Sequence, residues 1–146
     1  MFEKILVALD PSDDNQKVFD TALFLAKTTH AELVLLQVIP PAKDESLTSV
    51  YEESGQKFKQ RGLEALQSLA REATAAGVKV EFTQNFGNPG HTICNFAQMW
   101  SIDLIVLGSR GLTGAKEMFL GSVSNHVTHH APCSVSIVRK TIEQQK

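Results

Sequence analysis

Three short apolar runs, two alternating ones and helical patterns between them predict an α/β domain. The expected architecture is an open, doubly wound, five-stranded parallel sheet in the order 3-2-1-4-5, with helices on both faces. The apolar runs at residues 5–9, 33–39 and 104–107 are too short for buried helices. Turn residues close each of them: Asp10-Pro11-Ser12, Pro40-Pro41 and Gly108. Near-continuous apolar strands are those covered on both faces, as in a parallel sheet between helical layers. Right-handed crossovers then follow from the alternation of strand and helix.

After the first strand, residues 13–30 carry a helical stripe of Phe19, Ala22, Leu23 and Ala26, with Ser12, Asp13 or Asp14 available as caps. The second strand at 33–39 leads into residues 40–54, polar and acidic (Asp44, Glu45, Glu52, Glu53) and without a period, read as a solvated loop. From 55 to 76, Phe58, Gly62, Leu66, Leu69 and Ala73 define a second helix, and Gly77 is its stop. Residues 78–82 alternate, as a strand nearer an edge does. A third helix starts at Pro89 and runs to Trp100, with Ile93, Ala97 and Trp100 expected inward. The fourth strand at 104–107 is followed by a glycine-bearing loop. A fourth helix spans 121–130, with Val123 and Val127 inward, before Ala131-Pro132. Residues 134–138 alternate and form the second edge.

The composition agrees with one globular domain spanning residues 1–146. Hydrophobic residues make up 42% of the chain, and 14 basic residues face 16 acidic ones, for a formal net charge of −2. A surface that neutralises nucleic-acid phosphates shows a basic excess or cluster, and none is visible, so no nucleic-acid partner is expected. Apolar content at low net charge also argues against disorder. The two cysteines, Cys94 and Cys133, are far apart and fit neither a disulfide scaffold nor paired zinc motifs. The opening residues lack the pattern of a signal peptide, and no run reaches the roughly 18 apolar residues of a membrane span. A cytoplasmic protein without a membrane partner is expected.

In open parallel sheets, ligands bind at the carboxyl ends of the strands, where the strand order reverses. Asp10 ends the first strand, with capping of the first helix as the less favoured reading. Gly108-Ser109-Arg110-Gly111 ends the fourth, and in the order 3-2-1-4-5 both face one crevice. Gly121-Ser122-Val123-Ser124 then opens a helix, whose first N–H groups and partial positive charge suit an anion. Glycine there lets phosphate oxygens approach closely, and Arg110 can add a guanidinium. Two other phosphate motifs fail. The run 111–116 lacks the Gly-Lys-Ser/Thr end of a Walker loop, and no Gly-x-Gly-x-x-Gly follows the first strand.

The pattern Gly108-x2-Gly111-x9-Gly121-Ser122 resembles the ATP-binding pattern of the universal stress protein family. The openings at residues 4–10 and 103–111, the turn Gly87-Asn88-Pro89, and His130-Ala131-Pro132-Cys133 before Val135, Ile137 and Val138 are similar to that family over nearly the whole chain. The resemblance implies an adenine-nucleotide (ATP) binding module in stress response and signalling, commonly a homodimer. It assigns Asp10 to the ribose, the Val38 backbone to the adenine edge, and Ala8 and Leu9 to the lining of the slot. Gly108 lies beside the ribose, and Gly111, Gly121, Ser122, Val123 and Ser124 form the phosphate set. Arg110 stands at a position that is often basic. Gln37 stands where the family often has His. Mg²⁺ can join through the phosphates. The alternative is a slow ATP hydrolase or phosphoryl-transfer enzyme using the same site, for which spacing fixes no base.

Other features have plainer readings. His126, His129 and His130 share helical spacing, but the sequence fixes no carboxylate or Cys beside them, and a solvated helix face is the preferred reading. Cys133 reads as a small buried thiol. A phosphoacceptor receiver is excluded, because the third strand ends in Gln84-Asn85-Phe86 and offers no aspartate. The strand at 134–139, with Val135, Ile137 and Val138 and with charge only at Arg139-Lys140, is expected to pair with its copy in a homodimer. Further protein partners are not specified by the sequence.

Overall fold

The computed structural model describes residues 2–11, 15–41, 48–109 and 121–139, with the backbone alone over 48–54. Strand and helix alternate as β1 (Lys4–Leu9), α1 (Gln16–Thr29), β2 (Glu32–Ile39), α2 (Thr48–Ala75), β3 (Val80–Phe86), α3 (Pro89–Met99), β4 (Leu104–Gly108), α4 (Ser122–His130) and β5 (Ser134–Val138). The five strands form one sheet in the order β3-β2-β1-β4-β5, and every pairing is parallel. The expected fold class and strand order are those observed.

Strand alternation divides the core into two layers. Ile5, Val7, Leu9, Leu33, Leu35, Leu104 and Val106 face one way, against Phe19, Ala22 and Ala26 of α1 and Leu66, Ala70 and Ala73 of α2. Leu6, Ala8, Val34, Leu36, Val38, Ile105 and Leu107 face the other way, against Ile93, Cys94, Phe96 and Ala97 of α3 and Val127 of α4. This two-sided burial explains why the three central strands are apolar along nearly their whole buried length rather than at every second position, Gln37 being the polar exception. At the amino ends of the strands the Asp103 carboxylate accepts the N–H groups of Glu3 (2.8 Å) and Lys4 (2.9 Å), and the Asp103 N–H donates to the Lys4 carbonyl (2.9 Å). One side chain thus clips β4 to β1 and helps fix their register.

Four expectations need correction. The helix α2 begins at Thr48, so the part of the 40–54 loop from residue 48 onward is helical. Glu is a good helix former and continues a helix without an apolar stripe, which is why the missing period misled; residues 42–47 lie outside the described residues. The strand β3 starts at Val80, not 78, and extends to Phe86. Val78 is buried, but it lies in the turn, donating its N–H to the Ala73 carbonyl (3.0 Å). Trp100 does not point inward. It caps the C-terminus of α3, 39% exposed, and stacks on Phe96 with ring centroids 4.8 Å apart. Finally, α1 takes Asn15 as its N-cap residue, while Ser12, Asp13 and Asp14 lie outside the described residues. The predicted stop at Gly77 has a physical basis in its φ of +83°, a conformation that glycine adopts without strain.

Candidate functional site

The crevice forms because β1 is shorter than its neighbours at the carboxyl end. Its last pair with β2 is Leu9↔Gln37, whereas β2 continues through Val38 and Ile39, paired only with Asn85 and Phe86 of β3. On the other flank the last pair with β4 is Ala8↔Leu107, and Gly108 pairs outward with Val138 of β5. Asp10 therefore sits at the end of β1 with Val38–Ile39 on one side and Gly108–Ser109 on the other. The chain leaves β1 in one direction toward β2 and reaches β4 in the other, so this is the switch point of the sheet.

Asp10 is held through its backbone. The Asn15 carboxamide accepts the Asp10 N–H (3.0 Å) and donates to the Asp10 carbonyl (2.7 Å), a reciprocal clasp that fixes the turn between β1 and α1. Sequence reasoning missed Asn15; the available signal was an Asn immediately before a helical stripe, five residues beyond Asp10. Val38 is 4% exposed and Ala8 and Leu9 are buried, so what Val38 offers toward the crevice is backbone.

The phosphate end is built around α4. The Ser109 N–H donates to the Val138 carbonyl (3.0 Å), and the Gly121 N–H donates to the Ser109 carbonyl (2.8 Å). The two ends of the intervening loop are thereby held together, and the start of α4 is fixed to the end of β4. The Ser124 hydroxyl, 1% exposed, donates toward the carbonyls of Gly121 (3.1 Å) and Ser109 (3.3 Å). The Asn125 N–H makes the first helical bond, to the Gly121 carbonyl (2.9 Å). Ser122, Val123 and Ser124 occupy the first three helical positions, whose N–H groups have no partner within the helix. Three donors and the positive end of the helix dipole thus lie beside β4 at the crevice. The exposed Ser122 hydroxyl adds a donor, whereas that of Ser124 is turned to the protein. Arg110 and Gly111 lie outside the described residues.

Behind β2, Gln37 is 2% exposed, and its carboxamide oxygen accepts from Gln84 Nε2 (2.7 Å), which also donates to the Lys59 carbonyl in α2 (3.0 Å). The buried polar groups are satisfied among the described residues. This amide pair, with Gly62 of α2 above it, ties α2 to the strand that carries Val38. Burial pushes the Cys94 thiol up from its ordinary pKa, and burial, then Asp103 and Cys94, do the same at Cys133, as expected of inert core thiols. Among the described residues no group of three His, Cys, Asp or Glu side chains is gathered to hold a metal ion, and no helix is long and apolar enough to cross a membrane.

Comparison with known proteins places this arrangement. Residues 1–139 match the universal stress protein family, Usp. Universal stress protein YxiE of Bacillus subtilis (strain 168) is 41% identical over 148 residues, covering 95% of this chain and all of that one. Among solved structures, universal stress protein UspA from Lactobacillus plantarum superposes with a TM-score of 0.84 at 29% identity, covering 94% of this chain and 98% of that one. A universal stress protein family protein from Arabidopsis thaliana, solved with AMP bound, shares the fold at a TM-score of 0.73 and 22% identity, covering 99% of this chain and 95% of that one. With a family match over nearly its full length and a relative of this identity, the chain belongs to the universal stress protein family.

Proposed function

We propose that the chain is a nucleotide-binding regulatory module that holds ATP or a related adenine nucleotide in the crevice at the end of β1. The observation that supports this most directly is the pairing of two features at one place. The strand β1 stops short between β2 and β4, and the first three N–H groups of α4 lie at that opening. The base fits on the Val38 side, against apolar Ala8 and the β2 backbone, while the Leu9 side chain faces the opposite core layer and offers only backbone there. Asp10 and Gly108 flank the ribose, and the phosphates meet the start of α4 at Gly121, Ser122, Val123 and Ser124. Arg110 and Gly111 belong to the same proposed phosphate set, and Mg²⁺ would join through phosphate oxygens rather than through a protein cluster. Adenine-nucleotide occupancy of this fold is known from the Arabidopsis protein solved with AMP; at that identity the likeness carries the fold, and the ligand is proposed from the site.

The test is calorimetric titration of the full chain with ATP and GTP. The backbone of Val38 presents a fixed hydrogen-bonding edge that suits adenine and mismatches guanine. A buried mismatch costs about 1–3 kcal/mol, so ATP should bind about tenfold tighter or better. Equal affinities would show that the base is not read at β2, and absence of binding to either would remove the reading altogether. Mass spectrometry of nucleotide carried through purification identifies which adenine nucleotide the protein selects.

A further inference from the structure

We propose that His126 and His130, one turn apart on α4, form a two-imidazole site for a divalent transition cation, with Cu(II) the tightest binder of the first-row series. Their ring centroids are 4.2 Å apart with planes inclined by 19°, as an i,i+4 pair on one helix face requires. His130 Nδ1 lies 2.9 Å from the His126 carbonyl oxygen. A carbonyl can only accept, so Nδ1 carries a proton, and in the neutral ring the lone pair is on Nε2. A carbonyl partner on the far nitrogen is also what orients ligating imidazoles in metal sites generally.

His126 is seated more deeply. Its ring rests on Gly90 of α3, where a Cβ would come within 2.9 Å of it, and His91 of α3 lies beyond, with ring centroids 5.9 Å apart. Desolvation first, and then the neighbouring imidazoles of His130 and His91, hold its pKa below the usual histidine value. Nearly parallel rings do not aim their lone pairs at one point, so coordination turns the His126 ring out of the stack while His130 keeps its carbonyl bond, and water completes the shell. No third protein ligand is gathered among the described residues, which makes this an exchangeable site rather than a structural one. His129 is an internal control. Its Nδ1 is bonded to the Asn125 carbonyl (2.8 Å) in the same way, but its ring is 6.5 Å from that of His130 and tilted by 55°.

The full chain is titrated with Cu(II) chloride in a non-coordinating buffer, followed by calorimetry and by the nitrogen hyperfine structure of the electron paramagnetic resonance spectrum. A thermal melt accompanies each variant. Saturable binding of one ion per chain is expected. His126→Gln and His130→Gln should each weaken it about tenfold or more, and His129→Gln should leave it within about twofold. Should His126→Gln fail to fold because of its packing on Gly90, the exposed His130→Gln decides alone. Wild-type affinity in His130→Gln, an equal loss in His129→Gln, or no saturable binding by the wild type would overturn the proposal.

Discussion

Gly121 has φ −65° and ψ 166°, values open to any residue, so its backbone conformation does not require glycine. Its N–H and carbonyl are both committed, to Ser109 and to Asn125 with Ser124. What glycine supplies is room beside the three N–H groups that follow it. Gly121→Val would fill that room with a branched side chain while keeping the backbone bonds. The variant should lose at least about thirtyfold in ATP affinity, the worth of about one charge-assisted hydrogen bond. It should remain folded, about 1–2 kcal/mol less stable, because Val is a poor N-cap. Titration calorimetry and a thermal melt on the same sample read both effects. Unchanged affinity in the folded variant would remove the phosphate site from α4. Ser124 stands apart at this scale: its hydroxyl serves the junction of β4 and α4, and only its N–H remains for a ligand.

Among the elements, α2 shows how packing overrides propensity. Glycine in a helix interior costs about 1 kcal/mol relative to alanine, so Gly62→Ala would stabilise an isolated helix. In the folded protein a Cβ at Gly62 would overlap Gln37 Oε1 and come within 2.9 Å of Gln37 Cδ and 3.0 Å of Gln84 Nε2. Gln37 is buried and has no room to retreat without giving up its bond to Gln84. A buried amide left unpaired costs about 1–3 kcal/mol, which exceeds the propensity gain. Gly62→Ala should therefore destabilise by up to about 2 kcal/mol net, measured by urea unfolding; a stabilised variant would show that the amide pair yields freely. The sequence showed Gly62 only as one step in a helical stripe, because the amide pair beneath it joins residues 47 positions apart. The edge strand β3 was read two residues early for a related reason. Its limits are set by pairing with Leu33 through Ile39 of β2, not by its own alternation. Central strands, buried on both faces, declare themselves locally, as do Asp10 and Gly121-Ser122 at the ends of such elements. The Asn15 clasp is local, reaching back only to Asp10, and carried its signal in an Asn placed just before a helical stripe; the outward turn of Trp100 was not legible.

For the whole molecule, the open question is what covers the two edges of the sheet. On β3, Glu81 is exposed and Lys59 lies over the Phe86 ring, 4.8 Å from its centroid; charge of this kind guards an edge against pairing. The opposite edge differs. Among the described residues β5 pairs with β4 alone, and its Val135, Ile137 and Val138 are only partly buried against the two core layers. Its far end is held by Ser109, whose N–H bonds the Val138 carbonyl, and by Lys17 Nζ, which donates to the Arg139 carbonyl (2.8 Å). An apolar strand held in register, with no strand partner on its outer side among the described residues, is suited to antiparallel pairing with its own copy, a two-fold arrangement that satisfies both edges at once. We therefore propose a homodimer through residues 134–139. Ile137→Lys would place a charge within the shared edge of each protomer, and at least about tenfold weaker association is expected from burying one unpaired cation per strand. Light scattering over a dilution series separates the outcomes: a dimer giving way to monomer in the variant supports the pairing. A wild type that is monomeric at every concentration, or a variant that dimerises as the wild type does, refutes it.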